Sequence, residues 1–187
     1  MLNTRFLTLV CITSVTAAAA RLILHPPNFT PLFAMALFGG AYFANRRVAF
    51  AVPVVALFLS DLLLGAVLYG FQVFLLWPYV YSCFVLTVGL GLWVRQKKSA
   101  FRIGVAALAS AGLFFLISNF GSWRYFYPQT WEGLVACYLA GLDLLANNVA
   151  GNALYAVLLF GGFALAQRFF PVLREASVEI QPARQVA

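Results

Sequence analysis

Within one apolar stretch, residues 72–94, stand Trp77, Tyr79, Tyr81, Ser82 and Cys83. About 20 apolar residues rising 1.5 Å each cross the ~30 Å hydrocarbon core of a bilayer, so the stretch is long enough to span one. Dissolving in lipid requires none of these five side chains. A thiolate is a ligand for soft or borderline metals, and Cys83 is a thiol set among ring systems about half-way along the span. The alternative is that Cys83 packs as a small hydrophobe, as buried free cysteines commonly do. Cys11 and Cys137 are read in that way. With no Cys-x-x-Cys spacing among the three cysteines, neither a disulfide framework nor a zinc site is expected.

A second group of candidates collects around this stretch. His25, the only histidine, sits in the loop His25-Pro26-Pro27-Asn28-Phe29-Thr30-Pro31. Its alternatives are a hydrogen bond that stabilises the loop and a contact to metal or substrate. Asp61 falls inside an apolar run, where a carboxylate costs roughly 2.5–3.5 kcal/mol on insertion scales. It should therefore face the protein interior or water, paired with Arg21 or Arg124, or a ligand. Asn119, Trp123, Arg124, Tyr125 and Tyr127 crowd one polar-aromatic segment, and Glu132 and Asp143 follow. Single aromatics at a membrane interface are usually anchors. Amide, aromatic and ionisable groups converging on one side suit a pocket for a large polar molecule with planar faces.

The elements that must position these residues follow from composition. The chain has 187 residues, 64% hydrophobic and only 9% charged, with mean hydropathy +0.92. Soluble domains carry about 25% charged residues, so an integral membrane protein of one polytopic domain is expected. The net charge of +7 does not point to nucleic acid, because the basic residues sit at the ends of apolar runs. Apolar segments at about 6–24, 31–44, 48–64, 72–94, 103–118 and 148–169 predict an all-α bundle of six transmembrane helices. Arg21 and the continuing Leu-Ile-Leu favour a retained first span over a cleaved signal peptide. Residues 131–147 are read either as an amphipathic helix at the interface or as the outer part of the last span.

Residues 65–71 read as a brief turn and 118–130 as an irregular polar-aromatic segment. Two prolines in succession make 25–31 a rigid, extended loop. Residues 1–170 form the membrane domain and 171–187 a polar cytoplasmic tail. With six spans, one side holds Arg5, Arg46, Arg47, Arg95, Lys97, Lys98, Arg102, Arg168, Arg174 and Arg184, and the other only Arg21 and Arg124. This asymmetry places the N- and C-termini in the cytoplasm. No internal repeat is visible. There is no Ser/His/Asp set, Gly-rich phosphate loop or nucleotide-binding motif, so the chain has no standard enzymatic signature and cannot itself power transport.

Several strings carry a resemblance. They are His25–Gly40, Val52-Val54-Val55 leading to Leu59-Ser60-Asp61-Leu62-Leu63-Leu64-Gly65, Ser118-Asn-Phe-Gly-Ser-Trp123, Tyr127-Pro-Gln-Thr130, Gly133–Tyr138, and Asn147-Asn148 with Gly151-Asn152. Together they span about residues 20–165, and the sequence resembles the substrate-binding S-components of energy-coupling factor (ECF) transporters. It is most similar to the solitary cobalamin (vitamin B12) S-components, in which a membrane cysteine is the axial ligand to cobalt. The resemblance implies Cys83 in that role, with cobalamin as transported ligand and cobinamide as a second one. It also implies contacts to the corrinoid from His25, Asn28, Asp61, Tyr79, Tyr81, Asn119, Trp123, Arg124, Tyr125 and Tyr127. No free metal is expected.

S-components that share an energising module carry an Ala-x-x-x-Ala face in the first span, which Ser14/Ala18 only approximates, so a solitary transporter of the bacterial cytoplasmic (inner) membrane is expected. Two alternatives stay open. In one, thiolate ligation by Cys83 labilises the opposite ligand, making the chain a decyanating, corrinoid-modifying membrane protein. In the other, the substrate is a different vitamin-like molecule and Cys83 is merely packed.

Overall fold

The computed structural model describes residues 4–22, 26–64 and 71–174. Among these the structure is helical throughout: α1 (Thr4–Leu22), α2 (Leu32–Tyr42), α3 (Arg46–Leu64), α4 (Trp77–Gln96), α5 (Ala100–Phe126), α6 (Trp131–Ala140) and α7 (Leu142–Phe169). A 3₁₀ turn, Phe71–Leu76, leads into α4, and one π turn, Val157–Gly161, interrupts α7. Among the described residues three helices are long and apolar enough to cross a membrane: Phe74–Gln96, Ala100–Phe126 and Leu142–Phe169.

The eleven-residue α2 is the most buried helix. Every residue of α2 from Phe33 to Tyr42 is buried, and α2 packs against α1, α3, α4, α5 and α7. Its closest neighbour is α4. A Cβ on Gly40 would lie 2.8 Å from Gly91 Cα, and a Cβ on Gly91 would lie 2.8 Å from Gly40 Cα, so the two backbones touch where neither residue has a side chain. Small residues allow this approach in membrane bundles, where lipid supplies no hydrophobic force between helices and van der Waals packing must. Just beyond, Arg95 reaches across to the end of α2. Its Nε and Nη2 donate to Gly40 O (3.2 and 2.8 Å), its Nη1 to Ala44 O (3.0 Å), and Nη2 also to Phe43 O. The last carbonyls of a helix have no partner of their own, so one guanidinium both caps α2 and ties it to α4.

Three expectations are revised. Residues 118–126 are not irregular: α5 continues through them to Phe126. Ser118, Asn119 and Ser122 face the cavity described below while Phe120, Tyr125 and Phe126 are exposed, so the polar residues form a helical stripe. The helix stops at Tyr127, extended at φ −124° and ψ 157°, because the residue before Pro128 is pushed out of the helical region. The Pro-Pro loop is a turn rather than an extended strand: Phe29 N–H donates to Pro26 O at 3.0 Å, and Asn28 takes φ 62°, the left-handed value a type II turn needs at its third position. Residues 131–147 divide at Gly141. α6 is ten residues, about 15 Å, too short to cross, and 142 onward is the outer part of α7. The turn read at 65–71 lies, except for Phe71, outside what is described, as does the side chain of Ala18.

The glycines give a direct check on the α2–α4 contact. Gly91→Ala is expected to lower unfolding stability in detergent by about 1–3 kcal/mol through overpacking, a melting shift of about 2–4 °C per kcal/mol at this size. Gly89 lies two residues away, and a methyl group there would meet nothing within 4 Å. It should tolerate Ala without loss, since Ala is the better helix former. Equal melting temperatures for the two variants would mean that the contact carries no stability.

Candidate functional site

At the end of the bundle away from Arg95, a cavity of about 410 Å³ opens between the helices, lined by α2, α3, α4, α5, α7 and the 26–31 turn. α2 forms its floor with Leu32 and Phe33; α4 contributes Trp77, Val80 and Phe84; α5 contributes Ala111, Phe114, Phe115, Ser118, Asn119 and Ser122; α7 contributes Leu144, Leu145 and Asn148. Asn28 and Thr30 close it from the turn and Asp61 from α3. The walls are aromatic: Phe33 lies 4.8 Å from Phe114 and 6.0 Å from Phe84, centroid to centroid.

The turn that covers the cavity is held by α7. Asn147 Nδ2 donates to Pro27 O at 3.1 Å, Phe29 packs edge-on against Tyr155 at 6.0 Å, and a Cβ on Gly151 would come within 3.1 Å of Phe29 Cα and Thr30 N. Asn147, Gly151 and Tyr155 are four residues apart and so share one face. Asn148 and Asn152, four apart on the neighbouring stripe, turn inward. Asn152 Nδ2 donates to Ala107 O (2.8 Å) and Ser110 Oγ (2.6 Å), binding α7 to α5. Asn148 reaches the cavity.

Two polar atoms at the cavity residues stand out. Asn148 is 2% exposed and its Oδ1 has no hydrogen-bond partner; Trp77 Nε1 is likewise buried and unpartnered. A buried polar atom without a partner costs about 1–3 kcal/mol, and here one acceptor and one donor are left unpaired on residues that line the cavity. Among the described lining residues the one ionisable side chain is Asp61, and Tyr81 OH donates to its Oδ2 at 3.2 Å. Asn119 is placed by α5 and α6: its Nδ2 donates to Phe115 O at 2.7 Å, and the Cys137 thiol donates to Asn119 O at 3.3 Å. Gly141 must be glycine for this, since a Cβ would fall 2.9 Å from Asn119 Cγ. Burial pushes the Cys137 thiol up, which keeps it protonated as that donor. Tyr138 is raised by burial and then by the neighbouring Cys137, and its OH donates to Leu116 O at 2.7 Å. Glu132, on the outer turn of α6, is held below the usual carboxylate range by its own backbone N–H and the Thr130 hydroxyl.

The sequence candidates separate into three groups. Asn28, Asp61 and Asn119 line the cavity, and Tyr81 positions Asp61. Trp123, Arg124, Tyr125, Tyr127 and Tyr79 lie outside the lining: Trp123 Nε1 donates to Pro128 O at 2.9 Å, and Tyr79 packs over Gly121 and edge-on to Tyr125. Cys83 is fully buried, its Sγ 3.9 Å from Leu113 O, and Val80 and Phe84 rather than Cys83 reach the cavity. His25 and the side chain of Arg21 lie outside the described residues. Sequence reasoning left Asn148, Thr30, Ser118, Ser122 and Trp77 off the contact set, although the strings Ser118–Trp123 and Asn147–Asn152 contained most of them. The usable signal was spacing, since Ser118, Asn119 and Ser122 repeat at helical intervals. Among the described residues no group of three or more His, Cys, Asp or Glu side chains could hold a free metal ion.

No curated protein and no solved structure matches this sequence. A family model does, across residues 1–173, which is nearly the whole chain and includes every element of the cavity. The chain belongs to the family described as "Family of unknown function (DUF6580)".

Proposed function

We propose that this chain is a membrane-embedded substrate-capture protein of the S-component kind, taking an organic molecule from the outer face into the cavity, with a corrinoid as first candidate. The observation that carries capture is the cavity itself: aromatic walls, the Asp61 carboxylate, and the unpaired Asn148 acceptor and Trp77 donor on its lining residues. Binding sites for small molecules combine mostly apolar lining with a few placed polar groups in this way. In this reading α1–α5 and α7 make six crossings, α6 lies on the outer side, and both termini are cytoplasmic in the inner membrane. The support is that α3, α4 and α7 carry their basic residues at one end and their cavity residues at the other, that α2 is capped by Arg95 at that same basic end, and that α5 starts there with Arg102 while Arg124 stands in its last turn on the cavity side. The substrate class rests on the resemblance to cobalamin S-components.

Corrinoid binding sets two conditions on the structure. The cavity has the volume of about 14 liquid waters at roughly 30 Å³ each, so a corrin needs the outer ends of the helices and the 26–31 turn to part. The Cys83 thiol lies roughly 60° and 100° around α4 from Val80 and Phe84 at 100° per residue, so ligating cobalt needs α4 to turn or its contact with α5 to open at Leu113. The thiolate is the ligating form. Asp61 and Asn148 offer acceptors to the amide N–H groups of a corrinoid.

The test is the visible spectrum of detergent-purified protein with cyanocobalamin, for wild type, Cys83→Ala, Asp61→Asn and Asn148→Leu, with mass spectrometry of whatever co-purifies. A shifted corrinoid spectrum that Cys83→Ala abolishes, and an affinity about tenfold weaker in Asn148→Leu from one lost hydrogen bond, is the expected result. Corrinoid bound identically in Cys83→Ala removes the thiol from the site. A different molecule retained by wild type and lost from Asn148→Leu replaces the substrate, and no bound small molecule in any sample ends the capture reading.

Orientation is checked separately. In a cysteine-free background, Glu132→Cys should react with an impermeant maleimide added outside the cell and Arg46→Cys should not. The reverse pattern would invert the proposed topology.

A further inference from the structure

At the opposite end of the bundle lies a second cleft, of about 420 Å³, lined by Tyr42, Lys98, Gln167, Arg168 and Arg174. It is built rather than incidental. Tyr42 is fixed by the core rings Phe38, Phe160 and Phe163, at 4.7, 5.7 and 4.6 Å, and Lys98 Nζ lies 5.2 Å over the Tyr42 ring. Gln167 Nε2 donates to Leu173 O at 3.0 Å, holding the 3₁₀ turn Pro171–Leu173 against the end of α7. Arg174 Nε donates to Gln167 O at 2.8 Å and its Nη2 to Arg168 O at 3.2 Å. Those two bonds fix the Arg174 guanidinium while leaving further N–H donors of its five-donor fork. The Arg168 side chain has no hydrogen-bond or ion-pair partner among the described residues.

Three cations therefore face one cleft. Planar guanidinium donors beside an ammonium match the oxygens of a phosphate group. Phe169, Phe170 and Val172, next in sequence to Arg168 and Arg174, are exposed large apolar residues at the same rim. A free anion would have no use for them, whereas a lipid presents acyl chains beside its phosphate. Basic pockets between membrane helices are suited to anionic headgroups for this reason.

We propose that the Lys98–Arg168–Arg174 cleft binds the phosphate of an anionic phospholipid headgroup, with its acyl chains against Phe169 and Val172. The site is independent of the substrate cavity. The test uses the full chain in nanodiscs of phosphatidylcholine with graded phosphatidylglycerol, reading retained lipid by native mass spectrometry. Lys98→Gln with Arg168→Gln should weaken phosphatidylglycerol retention about fivefold per charge removed. Arg46→Gln with Arg47→Gln, which removes the same charge from exposed positions at the same end outside the cleft, should leave most of it. Arg174 is kept because it also secures the end of α7. Equal losses in the two double variants, or no loss in either, would overturn the site. Inorganic phosphate binding to detergent-purified protein as tightly as phosphatidylglycerol would overturn the lipid as its occupant.

Discussion

The contact between Gly40 of α2 and Gly91 of α4 sets the geometry on which the rest depends. Two helices whose backbones touch cannot slide or rotate independently, and Arg95 locks the register by donating to Gly40, Phe43 and Ala44 carbonyls. With α2 fixed in the middle, α1, α3, α5 and α7 pack around it. In lipid, where apolar side chains gain little by leaving the solvent, such a centre must be held by close packing and satisfied backbone groups. The Gly pair supplies the first and Arg95 the second.

The cavity is a consequence of the length of α2. Eleven residues give about 17 Å of helix, whereas the 20 residues of α4 give about 30 Å. Anchored at its C-terminal end by Arg95, α2 leaves the other end of the bundle without a central helix. Among the described residues, the 26–31 turn, tied to α7 through Asn147, Gly151 and Tyr155, occupies that space. What remains is lined by the side chains of the surrounding helices, and they are aromatic and amide-bearing. The same arrangement separates most of the charge: Asp61 and the amides stand at the cavity, with Arg124 on that side, and Arg46, Arg47, Arg95, Lys97, Lys98, Arg102, Arg168 and Arg174 at the other end.

Helix α5 shows how a polar segment in a membrane chain can be misread. Ser118, Asn119, Ser122, Trp123 and Arg124 in close succession look like a loop, because each is costly in lipid. The 27-residue helix removes that cost by turning Ser118, Asn119 and Ser122 inward and carrying Trp123 and Arg124 beyond the apolar length, where Trp123 donates to Pro128 O. Likewise Tyr81 does not line the cavity but donates to Asp61, which does.

Composition and periodicity determined the helical class and the long apolar segments, because hydropathy is a sum over neighbouring residues and needs no knowledge of packing. The clustering of basic residues at one end was equally legible from their places between apolar runs. Asp61 was found because a carboxylate in an apolar run has to face something, Asn119 because it stands in a cluster of polar and aromatic residues, and Asn28 through the resemblance. The partner of each group was decided by tertiary structure, since that depends on helix rotation and on contacts far apart in sequence. Cys83, prominent in its own neighbourhood, faces Leu113 across the α4–α5 contact. Asn148, unremarkable beside Asn147 and Asn152, is the one of the three that lines the cavity, because its neighbours turn to the 26–31 turn and to α5.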